Sequence, residues 1–563
     1  MSLQILRALA LVGACALAPY AHSQAQPARR IPLPGQVERE FTPPPPLRTV
    51  PPRTLPAVPA LPRAPPRAPD VKFILRGIAF EGATVYSLAD LWPSFARLFG
   101  KAVALDDIYK LAADLTAKYV GDGYFLSRVL VPAQNIEDGG VRLAVVEGYI
   151  AAVRFQGTPR EHEAMLGSYA AEIRATRPIT TAALERYLLL MNDLAGVDAR
   201  STLVPSRVGL GAADLVVDFA FTRASGQVGG DNRGSRALGP WRVIGGAAVN
   251  SLAGRLDNTR LFASSTLDRE QNYVSLQHAE PIGAEGARLA VSGWGAWARP
   301  DPSTLRGVTS SETTSWSAGL VHFYPLVRSR ALNLTTRVGF AAEEGRVEVN
   351  DKLVSEDRLR VLRAGLTFDA IDRFRGSNIV DAELSHGLHI LGATRTNTTK
   401  LPTTSGRSDF TKLALYAARS QPLGGSWSLF AAVSGQYAFN ALPSLERFAF
   451  GGEYFGRGYD SSELVGDSGA SLKIDLQREL GTIGSTGAAL SGYGFYDLGG
   501  VHRRSPFPGE AKRASGASAG IGLRTRFRAS LYGYAEVAQP LTRIVALEGD
   551  KHARVYAGLF VTF

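Results

Sequence analysis

Residues 226–563 alternate apolar and polar side chains in segments of about ten residues, and this pattern limits the fold more than any other feature. In LNLTTRVGF, one face carries Leu332, Leu334, Thr336, Val338 and Phe340, while the other carries Asn333, Thr335, Arg337 and Gly339. The segment WSLFAAVSGQY repeats the pattern. Alternation with a period of two predicts β-strands with one apolar and one polar face.

Strands of this kind form either a sandwich, with apolar faces turned inward, or a membrane barrel, with apolar faces turned outward. Residues 226–563 are many for one sandwich, and the last segment, ARVYAGLFVTF, ends on the aromatic Phe563. At about twenty residues per strand and connection, the region holds about sixteen strands. We therefore predict a membrane all-β fold, an outer-membrane β-barrel of about 16 strands over residues 225–563.

The N-terminus, MSLQILRALALVGACALAPYAHSQAQ, has the pattern of an export signal. It has one positive charge at Arg7, an apolar run from Ala8 to Ala18, and small residues where a signal peptidase cuts. The run is shorter than the ~20 residues of a membrane-spanning helix. We expect residues 1–25 to be removed together with Cys15, the only cysteine. A lipid anchor on Cys15 is the alternative, because VGAC loosely fits a lipoprotein signal.

A proline-rich segment, residues 26–70, follows the signal, with 15 prolines between Pro27 and Pro69. Proline lacks the amide donor that regular structure needs, so the segment is predicted to be an extended linker. Only Gly35 to Phe41 has room for a helical turn, which would make a short plug helix.

Residues 71–149 are predicted to form a first small module with the order strand, helix, helix, strand, strand. Ser87 and Asp90 have the spacing of a helix-capping pair. The second helix has an apolar stripe at helical spacing, made of Ile108, Leu111, Ala112, Leu115 and Tyr119. Two predicted strands, FLSRVLV and VRLAVVEGYI, complete the module.

Residues 150–224 repeat that order of elements. A first helix is predicted over about Glu161 to Ala175, and a second helix places four apolar side chains on one face, Leu184, Tyr187, Leu188 and Met191. The strands STLVPSR and ADLVVDFAF complete the unit. Two copies of one α+β module explain the repeat better than one larger domain.

The two modules resemble polypeptide-transport-associated (POTRA) domains, and residues from about 71 to 563 resemble the outer-membrane transporters of two-partner secretion, the haemolysin and filamentous-haemagglutinin exporters. GYFLSRVLVPAQNIEDGGVRLAVVEGYI is similar to the signature of that family's first POTRA domain. DNRGSRALGP is similar to the start of its barrel, and FYPLVRSR to a segment in mid-barrel. The resemblance implies a protein of the bacterial outer membrane whose POTRA domains lie in the periplasm.

The stretch FGGEYFGRGYD places Arg457 between two glycines. GRGYD resembles the V-R-G-Y/F tip of the loop that folds back into the barrel in this family, and FYDLGG resembles the F-x-D-x-G strand motif against which the tip rests. One departure is Gly456, which replaces the usual valine. The resemblance implies a lock between the loop and the barrel wall, formed by Arg457, Gly458, Tyr459, Phe495, Asp497 and Gly499.

An arginine on such a loop also has a physical reason. Glycines let a loop approach the barrel wall closely, and one fixed contact holds it there. Arg457 and Asp497 would supply this contact as a bidentate pair, partly shielded from water. The alternative is a solvated arginine at the tip of a surface hairpin.

Other classes of function have weak support in the sequence. The formal charge of +11 is spread along the chain without a nucleic-acid-binding motif. GASAG at 516–520 and GDSG at 466–469 match fragments of serine-hydrolase motifs, but they lack the strand–turn–helix context. His386 and His389 are three apart, so on a strand their rings point to opposite faces and disfavour a metal site. We expect no enzyme activity, no cofactor and no nucleic-acid partner.

The function implied by the resemblance is secretion of one large exoprotein of the haemolysin or adhesin type. No nucleotide-binding loop is present in the sequence, so transport is expected to run without ATP at this protein. The client would pair as an added strand with a POTRA edge and thread the barrel in extended form. An assembly insertase for other barrel proteins is the alternative, and a porin is the third.

The end of the chain resembles the signal that barrel assembly machinery reads. Leu559, Val561 and Phe563 fall on the apolar face of the last segment. Besides the client and this machinery, outer-membrane lipid is the expected partner, and the protein is expected to be a monomer.

Overall fold

The computed structural model of the chain describes residues 32–47, 68–157, 160–305, 308–394, 406–484, 487–506, 510–528 and 530–563. The predicted export signal, residues 1–25, and residues 26–31 and 48–67 of the proline-rich segment lie outside these ranges. Among the described residues, no helix is long and apolar enough to cross a membrane.

Sixteen antiparallel strands close into one barrel, which confirms the predicted fold class. They are β9 (Ala224–Asp231), β10 (Arg242–Asn250), β11 (Asn258–Thr266), β12 (Gln271–Ile282), β13 (Ala287–Ala298), β14 (Ser311–Arg328), β15 (Leu332–Val349), β16 (Lys352–Ile371), β17 (Ser377–Gly387), β18 (Thr411–Gly424), β19 (Trp427–Ala438), β22 (Ser468–Ile483), β23 (Ala488–His502), β24 (Arg513–Phe527), β25 (Leu531–Pro540) and β26 (Arg554–Thr562). Neighbours in sequence are neighbours in the barrel, and β26 pairs with β9 to close it. Closure leaves no unpaired edge.

The two faces of the strands are those that the alternation predicts. Val338 and Tyr437 are exposed on the outer face of the barrel. Arg337, the neighbour of Val338, points inward and binds the Asp381 carboxylate through Nη1 at 2.5 Å and Nη2 at 2.8 Å. An apolar outer face and a polar, ion-paired inner face suit a barrel surrounded by lipid.

The first module contains β1 (Lys72–Ile74), β2 (Gly77–Glu81), α2 (Leu88–Phe95), β3 (Ala102–Ala104), α3 (Leu105–Gly121), β4 (Arg128–Leu130) and β5 (Gly140–Val146). Its helices pack on a three-stranded sheet in the order β2-β5-β4, and β1 pairs with β3. Ser87 and Asp90 form the predicted capping box, and the predicted stripe of α3 is buried.

VRLAVVEGYI is two strands and not one, which corrects the sequence analysis. β5 ends at Val146, and β6 (Tyr149–Gln156) belongs to the second module. The break falls at Gly148, where an added Cβ would lie 2.4 Å from Leu126 Cβ. The close packing of the chain at Gly148 against Leu126 therefore determines where β5 ends and β6 begins.

The second module contains β6, α4 (Glu163–Ala175), α5 (Thr181–Asn192), β7 (Val197–Pro205) and β8 (Ala212–Phe221), with sheet order β6-β8-β7. Helix α4 begins two residues later than predicted, after a short 3-10 turn. In α5 the fully buried residues are Leu184, Leu190 and Met191, whereas Tyr187 and Leu188 are only partly buried. The buried face is therefore rotated from the predicted one, because Tyr187 faces the barrel.

Ion pairs attach the second module to the barrel. Arg186 Nη2 and the Tyr187 hydroxyl on α5 both donate to the Glu285 carboxylate at 2.8 Å, in the turn between β12 and β13. At the end of β14, Arg328 binds Asp193 with a bidentate pair at 2.6 and 2.8 Å. Arg328 lies in FYPLVRSR, the segment that the sequence analysis matched to mid-barrel. Only two residues separate β8 from β9, so the module is also connected closely along the chain.

Candidate functional site

A long connection between β19 and β22, residues 439–467, folds into the barrel. We call it the inner loop. It contains a small hairpin of β20 (Phe448–Phe450) and β21 (Leu464–Gly466). The hairpin packs in an apolar cluster with Tyr459 and Val501. The stretch FGGEYFGRGYD, residues 450–460, is the tip of this loop.

Arg457 and Asp497 form the pair that the sequence analysis predicted. Arg457 Nε donates to Asp497 Oδ2 at 2.9 Å, and Nη2 donates to Oδ1 at 2.7 Å. The backbone N–H groups of Gly456 and Arg457 also donate to Oδ2, at 3.2 and 2.9 Å. Both side chains are almost fully buried, at 1% and 0% exposure. The loop tip thus surrounds one carboxylate of β23 with four donors.

Two further wall residues complete the environment of the guanidinium group. Arg457 Nη2 also donates to Asp475 Oδ1 at 2.6 Å, and Arg457 Cζ lies 3.6 Å from the centre of the Phe495 ring. Cation–π stacking and a second carboxylate both favour the charged arginine in a dry site. Phe495 was predicted, but Asp475 was missed because no motif marks it within LKIDLQRE.

Gly458 and Tyr459 bring the tip against the neighbouring strands. A Cβ on Gly458 would lie 2.8 Å from Ser518 Cβ and 3.0 Å from the Pro540 backbone nitrogen, so only glycine fits there without movement. The Tyr459 hydroxyl donates to the Ala517 carbonyl at 2.9 Å. The tip therefore rests on β24 and β25 in addition to β22 and β23.

The Phe450 ring explains why residue 499 is a glycine. It also explains why residue 456 is a glycine where the family usually has a valine. A Cβ on Gly499 would lie 2.1 Å from this ring, and a Cβ on Gly456 would lie 2.7 Å from it. Gly456 also has a φ of 91°, a conformation that valine rarely adopts. Phe450 thus fills the space beside the tip and supplies apolar packing at this point.

A second ion pair holds the base of the tip. Arg554 Nη2 on β26 donates to Asp460 Oδ1 at 2.6 Å, and both side chains are about nine-tenths buried. The Ala546 backbone N–H donates to the Glu463 carboxylate at 2.9 Å. No local motif marks these contacts, although Asp460 is the last residue of FGGEYFGRGYD.

Residues 32–47 also lie inside the barrel, and we call them the lumen segment. They include α1 (Gln36–Glu40), within the range where the sequence left room for a helical turn. Glu40 accepts hydrogen bonds from Arg242 Nη1 at 2.5 Å and from Gln271 at 2.8 Å. Val37 packs in a cluster with Tyr273 and Ala296 of the barrel wall. Sequence alone gave no indication of these contacts, because the partners lie hundreds of residues away.

The lumen segment touches the inner loop directly. Arg39 Nη1 donates to the Arg447 carbonyl at 3.0 Å. A Cβ on Gly35 would lie 2.9 Å from Leu445 Cα, and Gly35 has a φ of 89°. The two elements therefore occupy the lumen together.

The serine-hydrolase and histidine motifs do not form catalytic or metal sites in the described residues. GASAG lies within β24, and GDSG spans the junction of β21 and β22, so neither forms a strand–turn–helix elbow. His386 binds Thr411 and His389 binds Ser408, at 2.9 and 3.0 Å. In the described ranges, no three His, Cys, Asp or Glu side chains group as metal ligands.

The terminal strand presents its predicted apolar face outward. Leu559, Val561 and Phe563 are exposed by 56%, 41% and 78%, as expected for side chains in contact with lipid. The Phe563 backbone also exchanges two hydrogen bonds with Gly226, at 2.8 and 3.0 Å. Phe563 is thus part of the β9–β26 junction.

Comparisons with known proteins identify the same architecture. Residues 216–524 match the model of the family described as haemolysin secretion/activation protein ShlB/FhaC/HecB, and residues 73–148 match the ShlB-type POTRA domain. The chain is 24% identical over 473 residues to the heme/hemopexin transporter protein HuxB of Haemophilus influenzae, covering 80% of each protein. It is 26% identical to the hemolysin transporter protein ShlB of Serratia marcescens, covering 77% of this chain and 75% of that protein.

A solved structure shows the same fold. CdiB from Escherichia coli superposes with a TM-score of 0.73 at 18% identity, covering 89% of this chain and 93% of the other. The family model extends over more than half of the chain, from the end of the second module into β24. This chain therefore belongs to the haemolysin secretion/activation family of outer-membrane transporters.

Proposed function

We propose that this protein secretes one large exoprotein of the haemolysin or adhesin type across the outer membrane by two-partner secretion, without ATP. The observation that carries the proposal is the combination of a closed sixteen-stranded barrel with an inner loop held by Arg457. Two periplasmic modules precede this barrel, the second of them attached by ion pairs. In such a barrel the lumen is obstructed at rest, and the periplasmic module that meets the client is held in a fixed position.

The lock formed by Arg457, Gly458, Tyr459, Phe495, Asp497 and Gly499 holds the inner loop in position for transport. A mobile inner loop would obstruct an extended client at varying positions in the lumen. A loop fixed to one wall leaves the rest of the lumen open to the client. The lumen segment occupies the opposite side, against β10 and β12 to β14. Displacement of this short segment opens the path for the client.

The client docks on the outer edge of β7 by adding a strand. β7 is an edge strand of the second module, and the side-chain amide of Asn192 already imitates a neighbouring strand at Ala199, with hydrogen bonds of 2.9 and 3.0 Å. Beyond this point, Val204, Val208 and Leu210 are exposed by 38%, 75% and 83%. Exposed backbone beside apolar side chains suits an extended, partly apolar chain.

The test begins with identification of the client. The gene for this protein is deleted in its native host, and the large protein that disappears from the medium is the probe. We then express Leu203→Pro. The Leu203 N–H shares the outward direction of Ala199, so proline removes a docking donor and leaves the pairing of β7 with β8 intact. We expect little secretion and a normal amount of barrel.

Leu203→Thr is the matched control, because it changes the side chain and keeps the N–H group. It should secrete as the wild type does. Equal secretion by the proline and threonine variants would exclude β7 as the docking edge. If the deletion instead lowers many outer-membrane barrel proteins and leaves the medium unchanged, the protein is an assembly insertase and not an exporter.

A further inference from the structure

The junction between β9 and β26, which we call the seam, has fewer paired residues than the adjacent junctions. β9 and β26 pair at five positions, from Gly558 with Asp231 to Thr562 with Gln227, and Gly226 with Phe563 adds a sixth. β9 pairs with β10 at eight positions, and β25 pairs with β26 at eight. Each antiparallel pair adds backbone hydrogen bonds, so the seam has the weakest backbone ladder of the three.

Two of the five β9 residues that pair with β26 carry no side chain. β9 reads ASGQVGGD, and Gly229 and Gly230 face β26 without side chains. A Cβ on Gly229 would lie 2.3 Å from the Phe560 ring, so the glycine makes room for this ring. Cross-strand side-chain pairs stabilise sheets, and these positions lack them. Side chains just past β9 therefore help to hold the seam closed. The Asn232 amide donates to the Val555 carbonyl at 2.9 Å and accepts from the Ala557 N–H at 2.7 Å.

Arg233 makes such a contact across the seam. It follows β9 by two residues, yet its side chain crosses β26 to reach β25, where Nη2 donates to Glu536 Oε1 at 3.0 Å and Nε donates to the Tyr534 hydroxyl at 2.8 Å. Its guanidinium carbon also lies 4.6 Å from the centre of the Tyr556 ring on β26. The Arg233 and Glu536 side chains are 8% and 1% exposed. A buried charge pair thus joins the first strand to the last two.

Glu536 also faces the loop lock. Its Oε2 accepts a hydrogen bond from the Tyr493 hydroxyl at 2.7 Å and lies 3.9 Å from Arg457 Nη1. Nη1 is a buried guanidinium nitrogen of Arg457 without a hydrogen-bond partner. One buried carboxylate therefore lies between the arginine of the seam and the arginine of the loop tip.

We propose that Arg233 is a clamp that holds the seam closed, and that Glu536 couples this clamp to the position of the inner loop. When Arg457 withdraws with the loop, Glu536 loses one of its two cations and the clamp loosens. Arg233 is a positioning residue in this scheme, since it acts through the barrel wall and not on the client. The inference concerns the barrel of the proposed exporter, but it does not require that the client be identified.

The test is amide hydrogen exchange in the purified full-length mature protein in detergent. Arg233→Gln should accelerate exchange in 226–231 and 557–562 by about tenfold or more, because a charged hydrogen bond across the seam is lost. Arg337→Gln is the matched control, since Arg337 binds Asp381 and Glu383 inside the barrel at 2.5 to 3.2 Å, away from the seam. It should leave exchange at the seam unchanged.

Arg457→Gln tests the coupling. It should also accelerate exchange at the seam, and the double variant with Arg233→Gln should exceed the larger single effect only slightly. Unchanged seam exchange in Arg233→Gln, or equal acceleration in Arg337→Gln, overturns the clamp. Effects of Arg233→Gln and Arg457→Gln that simply multiply overturn the coupling.

If Arg233→Gln fails to insert into the membrane, a disulfide across the seam provides a second test. Gln227 and Thr562 are paired Cα partners, and the only natural cysteine is Cys15, so Gln227→Cys with Thr562→Cys gives a selective cross-link. The cross-link should restore insertion of Arg233→Gln, and failure to restore it excludes the clamp. Because the readouts are exchange and insertion, a negative result leaves the proposed secretion untouched, and loss of secretion alone leaves the clamp untouched.

Discussion

Replacement of Arg457 by alanine is expected to release the tip of the inner loop without unfolding the barrel. The change leaves the buried carboxylates of Asp497 and Asp475 without their main cation. Breaking one buried ion pair costs about 3–5 kcal/mol. The lower end applies here, because Arg524 Nη2 lies 4.0 Å from Asp475, and Lys473 is the register partner of Asp497. About 3 kcal/mol corresponds to a more than hundredfold rise in the released population.

Hydrogen exchange of residues 450–466 measures this population. In Arg457→Ala we expect exchange about a hundredfold faster in the loop and nearly unchanged in β22 and β23, since the strands keep their ladders. Asp497→Asn should have a smaller effect, because Arg457 keeps Asp475 and the asparagine oxygen still accepts from the loop backbone. Arg337→Ala is the control, a lumen arginine away from the loop.

Exchange in Arg457→Ala within about twofold of the wild type would falsify the lock, since that corresponds to less than about 0.5 kcal/mol. A larger effect of Asp497→Asn than of Arg457→Ala would show that the carboxylate and not the arginine organises the tip. In cells, Arg457→Ala and Asp497→Asn should both reach the membrane in normal amounts. Of the two, Arg457→Ala should secrete less client per barrel. The charge-swapped double variant, Arg457→Asp with Asp497→Arg, should not restore secretion, because Arg457→Asp brings a carboxylate toward Asp475.

Three further predictions concern other parts of the chain. The mature protein should run as a compact band in cold detergent and shift on boiling, and equal mobility at both temperatures would contradict a closed barrel. Removal of Phe563 should lower the inserted amount more than the secretion per inserted barrel, measured in outer-membrane fractions, because it removes an exposed aromatic and the pairing with Gly226. In the first module, burial raises the pKa of the Glu147 carboxyl, but hydrogen bonds from Thr84, Val85 and Tyr119 lower it by more, so the net shift is downward from 4.5. This stabilisation is present above pH 4.5 and is lost as the pH falls; Glu147→Gln should therefore lower the melting temperature of the helical circular dichroism signal at pH 7 and flatten its decline below pH 4.5.

Local patterns predict the strands, and motifs predict the Arg457–Asp497 pair, but strand register decides which other wall residues join it. Alternation along LNLTTRVGF defines an outer and an inner face without reference to any other strand. Asp475 joins the site only because β22 pairs with β23 so that Lys473 lies opposite Asp497, and Asp475 opposite Phe495. This register is set by long-range pairing and turn geometry, which a single sequence does not display. Glu536 and Arg233 were missed for the same reason.

The boundary between the modules shows a different limit. The repeat predicts two modules, yet Phe125, from the first, is buried in the core of the second together with Tyr169 and Leu184. Deletion of 71–147 would therefore remove part of the second core as well as the first module. Point substitutions such as Leu203→Pro separate client docking from damage to the fold more cleanly than that deletion.

The two-residue connection between β8 and β9 has a mechanical consequence. A client under tension on the second module pulls on β9 without slack, since only Thr222 and Arg223 intervene. Backbone hydrogen bonds lie across antiparallel strands, so a pull along β9 loads them in shear, all at once. The anchors at Glu285 and Arg328 carry part of that load to other strands. Weakening these anchors would concentrate the force on the strand that closes the barrel.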